Sequence, residues 1–163
     1  MTTVEAGIAV HPIDKQFDRW ESILAVIRAA FAYMDGVIEP PSSAHRLTAR
    51  TLEAKAASEA GFLALAGDAI VGCVFIAERP DHFYLGKMAV MPAFQGRGAG
   101  RRLMRAAEQH ALRAGKPVIE LQTRVELTGN HRAFRALGFV ETARTANPGF
   151  DRPTSVTMRK RLA

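Results

Sequence analysis

The sequence predicts an α/β fold built on one mixed, mostly antiparallel central sheet. Three observations lead there. Apolar spacing is helical in the first third of the chain and then changes to strand-like runs. Two of those runs meet at Gly67-Asp68, a hairpin turn. A glycine-rich turn then joins a strand to an amphipathic helix, and further short strands come after it.

Residues 7–12 (GIAVHP) alternate like a short strand that proline ends. Asp14 or Asp18 is placed to cap a helix running to about Met34, with Phe17, Trp20, Ile23, Leu24, Ile27 and Phe31 at helical spacing. Asp35-Gly36 ends it, and residues 37–43 (VIEPPSS) form a rigid, turn-rich loop. Ser43 is expected to cap a second helix through Leu47, Leu52 and Ala56 to about Ala60. Strands are predicted over 62–66, 69–78 and 82–90, the last one stopped by Pro92. A helix spans about 98–114, with Gly115 as its C-terminal stop. A strand at 118–122, a short helix at 130–137 ended by Gly138, and a strand pair at 139–142 and 155–158 complete the order.

At 163 residues the chain suits a single domain over 1–163. Hydrophobic residues make up 48% and charged residues 23%, which excludes a disordered chain. The net charge of +6 invites an anionic partner. The arginines are not interleaved with stacking aromatics, so a phosphate-bearing cofactor is preferred and no nucleic-acid partner is expected. Cys73 is the only cysteine, so no internal disulfide forms, and its apolar run predicts a buried structural thiol. No Cys/His cluster has zinc spacing, so no metal is expected. Without a signal peptide or a run of transmembrane length, the expectation is a cytoplasmic protein with no membrane partner.

The informative segment is LGKMAVMPAFQGRGAGRRL, from Leu85 to Leu103. Glycines at 96, 98 and 100 let backbone N–H groups approach a ligand without Cβ interference. The start of the next helix adds unpaired N–H groups and partial positive charge, an anion site suited to a pyrophosphate. Arg97, Arg101 and Arg102 add fixed charge. A P-loop is excluded, because Arg101 and Arg102 come after Gly100 where Lys-Ser/Thr would be needed. The dinucleotide fingerprint fails too, since it needs glycine at 101 or 103.

In these residues the sequence resembles the GNAT superfamily of N-acetyltransferases. That family's cofactor loop reads Gln/Arg-x-x-Gly-x-Gly/Ala, and QGRGAG at 95–100 matches it in full. Met88-Ala89-Val90, followed by Met91-Pro92, has the form of the preceding strand. Asn130 and the run from Ala133 to Phe139, ending Leu-Gly-Phe, resemble the second cofactor motif. The resemblance is strongest from Phe83 to Phe139. It implies a GNAT-like sheet flanked by helices on both faces, acetyl-CoA as cofactor, and direct acetyl transfer to a primary amine. It also implies that Met88 and Val90 contact pantetheine. Gln95, Gly96, Arg97, Gly98, Ala99, Gly100 and Arg101 would hold the pyrophosphate, with Asn130 and Phe134 beside the cofactor.

A general base must deprotonate the amine, and Glu78, His82, Tyr84, Glu120 and Glu126 are the candidates. Family usage favours Glu120. Many members carry a tyrosine where this chain has Phe134, and a phenyl ring donates no proton. That departure keeps a catalytically silent acyl-CoA sensor open beside the enzyme, and transfer of a longer acyl group stays open as well.

By the same resemblance, the loop 37–45 walls the acceptor pocket. There Glu39 would attract a cationic amine, while Ser42, Ser43 and His45 would hydrogen-bond it, with Tyr84 nearby. Phe150, Asp151 and Arg152 form a second candidate lining or a dimer contact. The expected partner is a small-molecule or peptide amine, and a homodimer is open.

Overall fold

The computed structural model describes residues 7–162. It contains a seven-stranded sheet made of β1 (Ile8–Pro12), β2 (Ala60–Ala66), β3 (Ala69–Glu78), β4 (Phe83–Val90), β5 (Val118–Arg124), β6 (Val140–Thr145) and β7 (Ser155–Arg161). Four α-helices accompany it: α1 (Trp20–Phe31), α2 (Ala49–Ser58), α3 (Ala99–Arg113) and α4 (Thr128–Ala136). The strand order is β1-β2-β3-β4-β5-β7-β6. Every neighbouring pair is antiparallel except β4 and β5. The predicted mixed, mostly antiparallel sheet is therefore the observed one.

Helices cover both faces. On one side α1 buries Ile23, Leu24, Val26 and Ile27 against Leu63, Cys73 and Phe75, with Leu52 of α2 alongside. Each such aliphatic side chain contributes about 1.5–3 kcal/mol when fully buried. On the other side Leu103, Met104, Ala107 and Ala111 of α3 meet Val74, Ile76, Leu85 and Ile119. The alternation of β3 and β4 feeds both layers, as period-two side chains must.

Two local expectations are corrected. Neither Asp14 nor Asp18 caps α1; its N-cap is Arg19, without a side-chain bond. Asp14 instead accepts a hydrogen bond from Gln16 N at 2.9 Å, a local turn that competes with capping. Ser43 does not cap the second helix. Ser42 caps a 3-10 turn over Ser43–Arg46, and α2 starts later, capped reciprocally by Thr48 and Thr51. The physical reason is Leu47, whose extended backbone separates the two pieces.

Two irregularities shape the middle of the sheet. β4 and β5 pair only through Phe83 with Ile119 and Tyr84 with Glu120, then separate. The β3–β4 register shifts between Cys73 and Phe75, so Lys87 and Met88 together oppose Val74. Lys87 takes a left-handed φ of 52° at this bulge.

Candidate active site

The separation of β4 from β5 opens a cleft of about 1070 Å³. Residues 84–90 of β4 line one wall and residues 121–124 of β5 the other. Beyond Tyr84 the β4 main chain lacks its β5 partner, so its polar groups on that side are not taken up by a neighbouring strand. At one end lies the glycine turn, with Gln95, Gly96, Gly98, Gly100 and Arg101 in the lining.

That turn is shaped for an anion. Gly96 and Gly98 hold φ of 80° and 86°, a region side chains rarely adopt, and a Cβ at either would meet nothing within 4 Å. Gly98 is the N-cap of α3 and no side chain caps the helix. The first N–H groups of α3 are left to solvent or a ligand. Gln95 Nε2 donates to Val90 O at 3.1 Å, which fixes the turn to the end of β4. Open space, unclaimed amides and Arg101 together fit a diphosphate.

A sequence model of the Acetyltransferase (GNAT) family matches residues 20–139. The chain belongs to the GNAT family of acetyltransferases. No curated protein sequence matches it. Solved structures share the fold. An acetyltransferase from Streptococcus agalactiae has a TM-score of 0.75 at 17% identity, covering 96% of this chain and 99% of that one. The ribosomal-protein-S18-alanine N-acetyltransferase of Escherichia coli has a TM-score of 0.73 at 16% identity, covering 96% and 94%. A GNAT family acetyltransferase from Elizabethkingia anophelis, with acetyl-CoA bound, has a TM-score of 0.67 at 16% identity, covering 96% and 99%. Among the described residues no helix is long and apolar enough to cross a membrane.

In this GNAT domain the cofactor-side residues named from sequence divide into two sets. Met88, Val90, Gln95, Gly96, Gly98, Gly100, Arg101, Asn130 and Phe134 all line the cleft. Ala99 is buried at the start of α3 and offers only its main chain. Arg97 stacks on Phe94, 5.2 Å from the ring centroid, and is not in the lining. Arg102 donates to Ile8 O at 3.2 Å and braces β1. Of the three arginines, only Arg101 faces the cleft; the helical repeat turns Arg102 away, and Arg97 lies in the turn before α3.

The base candidates scatter. Glu120 sits where β4 and β5 are still paired, and its Oε2 accepts from Arg159 at 2.9 Å. It does not line the cleft. His82 hydrogen-bonds Asp81 at 2.6 Å and lies 3.7 Å from Glu120. Glu78 pairs with Lys116 at 2.6 Å, and that ammonium holds its carboxyl below the usual range. Glu126 has a buried oxygen without a partner but stays out of the lining. Only Tyr84 faces the cleft; burial raises its phenol above the ordinary value and nearby Glu120 adds to the rise.

On the acceptor side Glu39 is corrected. Its carboxylate accepts from Arg152 at 2.9 Å and it lines neither this cleft nor the small pocket beside it. His45 lines that small pocket of about 280 Å³ and bonds Asp35 at 2.7 Å. Ser42 lines both cavities, though its Oγ is occupied by Ala44 N at 3.1 Å. Ser43 accepts from Lys87 Nζ at 2.9 Å within the cleft. From the 147–153 loop only Asn147 reaches the lining, and Arg152 lies over Phe150 instead.

Sequence reasoning missed Lys87, Lys55, Arg124 and Tyr33, which all line the cleft. Lys87 had a signal: it is a lone charge inside the strand LGKMAV. Tyr33 also had one, as a hydroxyl just beyond the periodic apolar face of α1. Its OH accepts from Asn130 Nδ2 at 3.2 Å, and Asn130 is one turn before Phe134 on α4. Cys73 is a buried core thiol pushed up to about 12 by burial, as its apolar run predicted.

Proposed function

We propose that this GNAT domain is an N-acetyltransferase that passes acetyl from acetyl-CoA directly to a primary amine. The supporting observation is the β4–β5 gap running from the glycine turn past Phe134 to the loop at Ser42 and Ser43. Bound acetyl-CoA would supply an acyl thioester that an amine can attack. The main chain of Met88 and Val90 would hold the pantetheine arm, one N–H of β4 polarising the acyl oxygen. Residues 95–101 and the start of α3 would hold the diphosphate.

Among the described residues the cleft lining has no carboxylate and no imidazole. The amine therefore gives its proton to water in the open cleft rather than to Glu120. Phe134 donates none; Tyr33, hydrogen-bonded to Asn130 one turn before it on α4, would return a proton to the departing sulfur.

The test pairs binding with turnover. Calorimetry should show acetyl-CoA binding that Gly98→Asp abolishes, since the carboxylate enters the space meant for phosphate. Release of free CoA over an amine panel should accompany it for the unaltered chain. Unchanged affinity in Gly98→Asp overturns the site, and binding without CoA release for any amine supports the sensor instead. Propionyl- and butyryl-CoA in the same assay separate acetyl from longer acyl groups.

A further inference from the structure

The charge on the cleft walls is one-sided. Lys55 from α2, Lys87 from the β4 bulge, Arg124 from the end of β5 and Arg101 at the glycine turn all line it, and among the described residues no Asp or Glu does. Arg101 belongs to the diphosphate end. The other three stand on the side of Ser42 and Ser43, away from the turn.

Their partners are few. Lys55 is paired with Glu59 at 2.9 Å. Lys87 Nζ donates to Ser43 Oγ, a neutral oxygen. Arg124 donates to Pro40 O at 2.6 Å and Pro41 O at 3.3 Å, again neutral. Among the described residues no carboxylate forms an ion pair with Lys87 or Arg124. The charges felt by Lys87 are those of Lys55, Arg46 and Arg124, opposed by Glu59 alone. Arg124 also feels the charge of Glu126 without forming an ion pair with it. Two partly buried cations whose hydrogen bonds go only to neutral oxygens, facing open volume, favour an anionic group on the ligand.

We propose that the acceptor is a small amine carrying a carboxylate, an amino acid in the broad sense, whose carboxylate docks on Lys87 with Arg124 beside it. This rests on the amine-transfer reading above and names the substrate class for the same site. A polyamine or aminoglycoside would place added positive charge among these cations. A neutral amine would leave them unmatched.

Initial rates of CoA release, with saturating acetyl-CoA, test it on L-methionine, L-phenylalanine and L-glutamate, each against its α-amide, with spermidine as the polycation. At least one carboxylate should exceed its amide by tenfold or more in kcat/KM, with spermidine slower still. Lys87→Met should collapse that preference through KM, Lys87→Arg should restore most of it, and calorimetric acetyl-CoA affinity should hold in both. Amides or spermidine used as well as the carboxylates overturn the proposal. So does an absence of turnover with all three carboxylates, or a preference that survives Lys87→Met. If Lys87→Met does not fold, Lys87→Gln serves as the second variant, and an unaltered preference there also overturns it. Failure of acetyl-CoA to bind the unaltered chain would instead sink the transferase reading.

Discussion

Lys87 Nζ donates a 2.9 Å hydrogen bond to Ser43 Oγ, and so ties the β4 bulge to the 3-10 turn that precedes α2. The two residues are 44 apart in sequence. The bulge aims this lysine, since the extra residue in β4 interrupts the alternation that would otherwise continue through position 87.

Burial, then the charges of Lys55 and Arg46, lower the Lys87 ammonium from its ordinary 10.5. A lowered lysine means that the folded chain binds fewer protons than the unfolded chain between the two values. The cost of charging Lys87 is therefore full below the lowered value and is relieved as pH rises towards 10.5. Lys87→Met should raise the melting temperature at pH 7 and lose that advantage at pH 10.5, read by calorimetry in matched buffers. An equal gain at both pH values would show packing rather than charge at work.

Gly98 holds φ of 86° as the N-cap of α3. Alanine there meets no atom within 4 Å, so its cost is backbone strain alone. Gly98→Ala should lose about 1–2 kcal/mol, roughly 3–6 °C in melting temperature. Acetyl-CoA affinity should fall less than in Gly98→Asp, because no charge is added. Thermal scans and calorimetry of the two variants side by side decide this.

Tyr33 and Phe134 should trade places functionally. Tyr33→Phe removes the hydroxyl that bonds Asn130 and should lower kcat about tenfold with acceptor KM nearly unchanged. Phe134→Tyr should keep or raise turnover, and in the double variant it should recover part of the loss. A Tyr33→Phe enzyme with full kcat would remove Tyr33 from the proton path.

Glu120 serves the sheet. Its carboxylate is held by Arg159 across the β5–β7 pairing. Glu120→Gln should cost about 1 kcal/mol of stability or less, because Arg159 is partly exposed and the amide oxygen still accepts from it, and should leave kcat within about twofold. A kcat loss beyond a hundredfold at unchanged melting temperature would restore it as the base.

Much of the fold was legible because its signals are local. The glycine turn, the hairpin at Gly67 and the stop at Gly115 are backbone conformations that individual residues dictate. The residues expected on the cofactor side are local in the same way: Met88, Val90 and residues 95–101 fall within one strand–turn–helix. The helix starts were harder. Ser42, Ser43, Thr48 and Asp14 all look like caps, and which one serves depends on where the loop docks.

Sequence by itself determined the strand–turn–helix and the uncovered main-chain amides at its glycines, because covalent neighbours in one turn cannot be far apart. Tertiary structure alone decided which side chains meet across the cleft. Tyr33 meets Asn130 across 97 residues, and Arg124 reaches Pro40 across 84. Such meetings leave no periodic trace in a chain; they arise from how far β4 and β5 diverge and from which side chains that gap leaves facing each other.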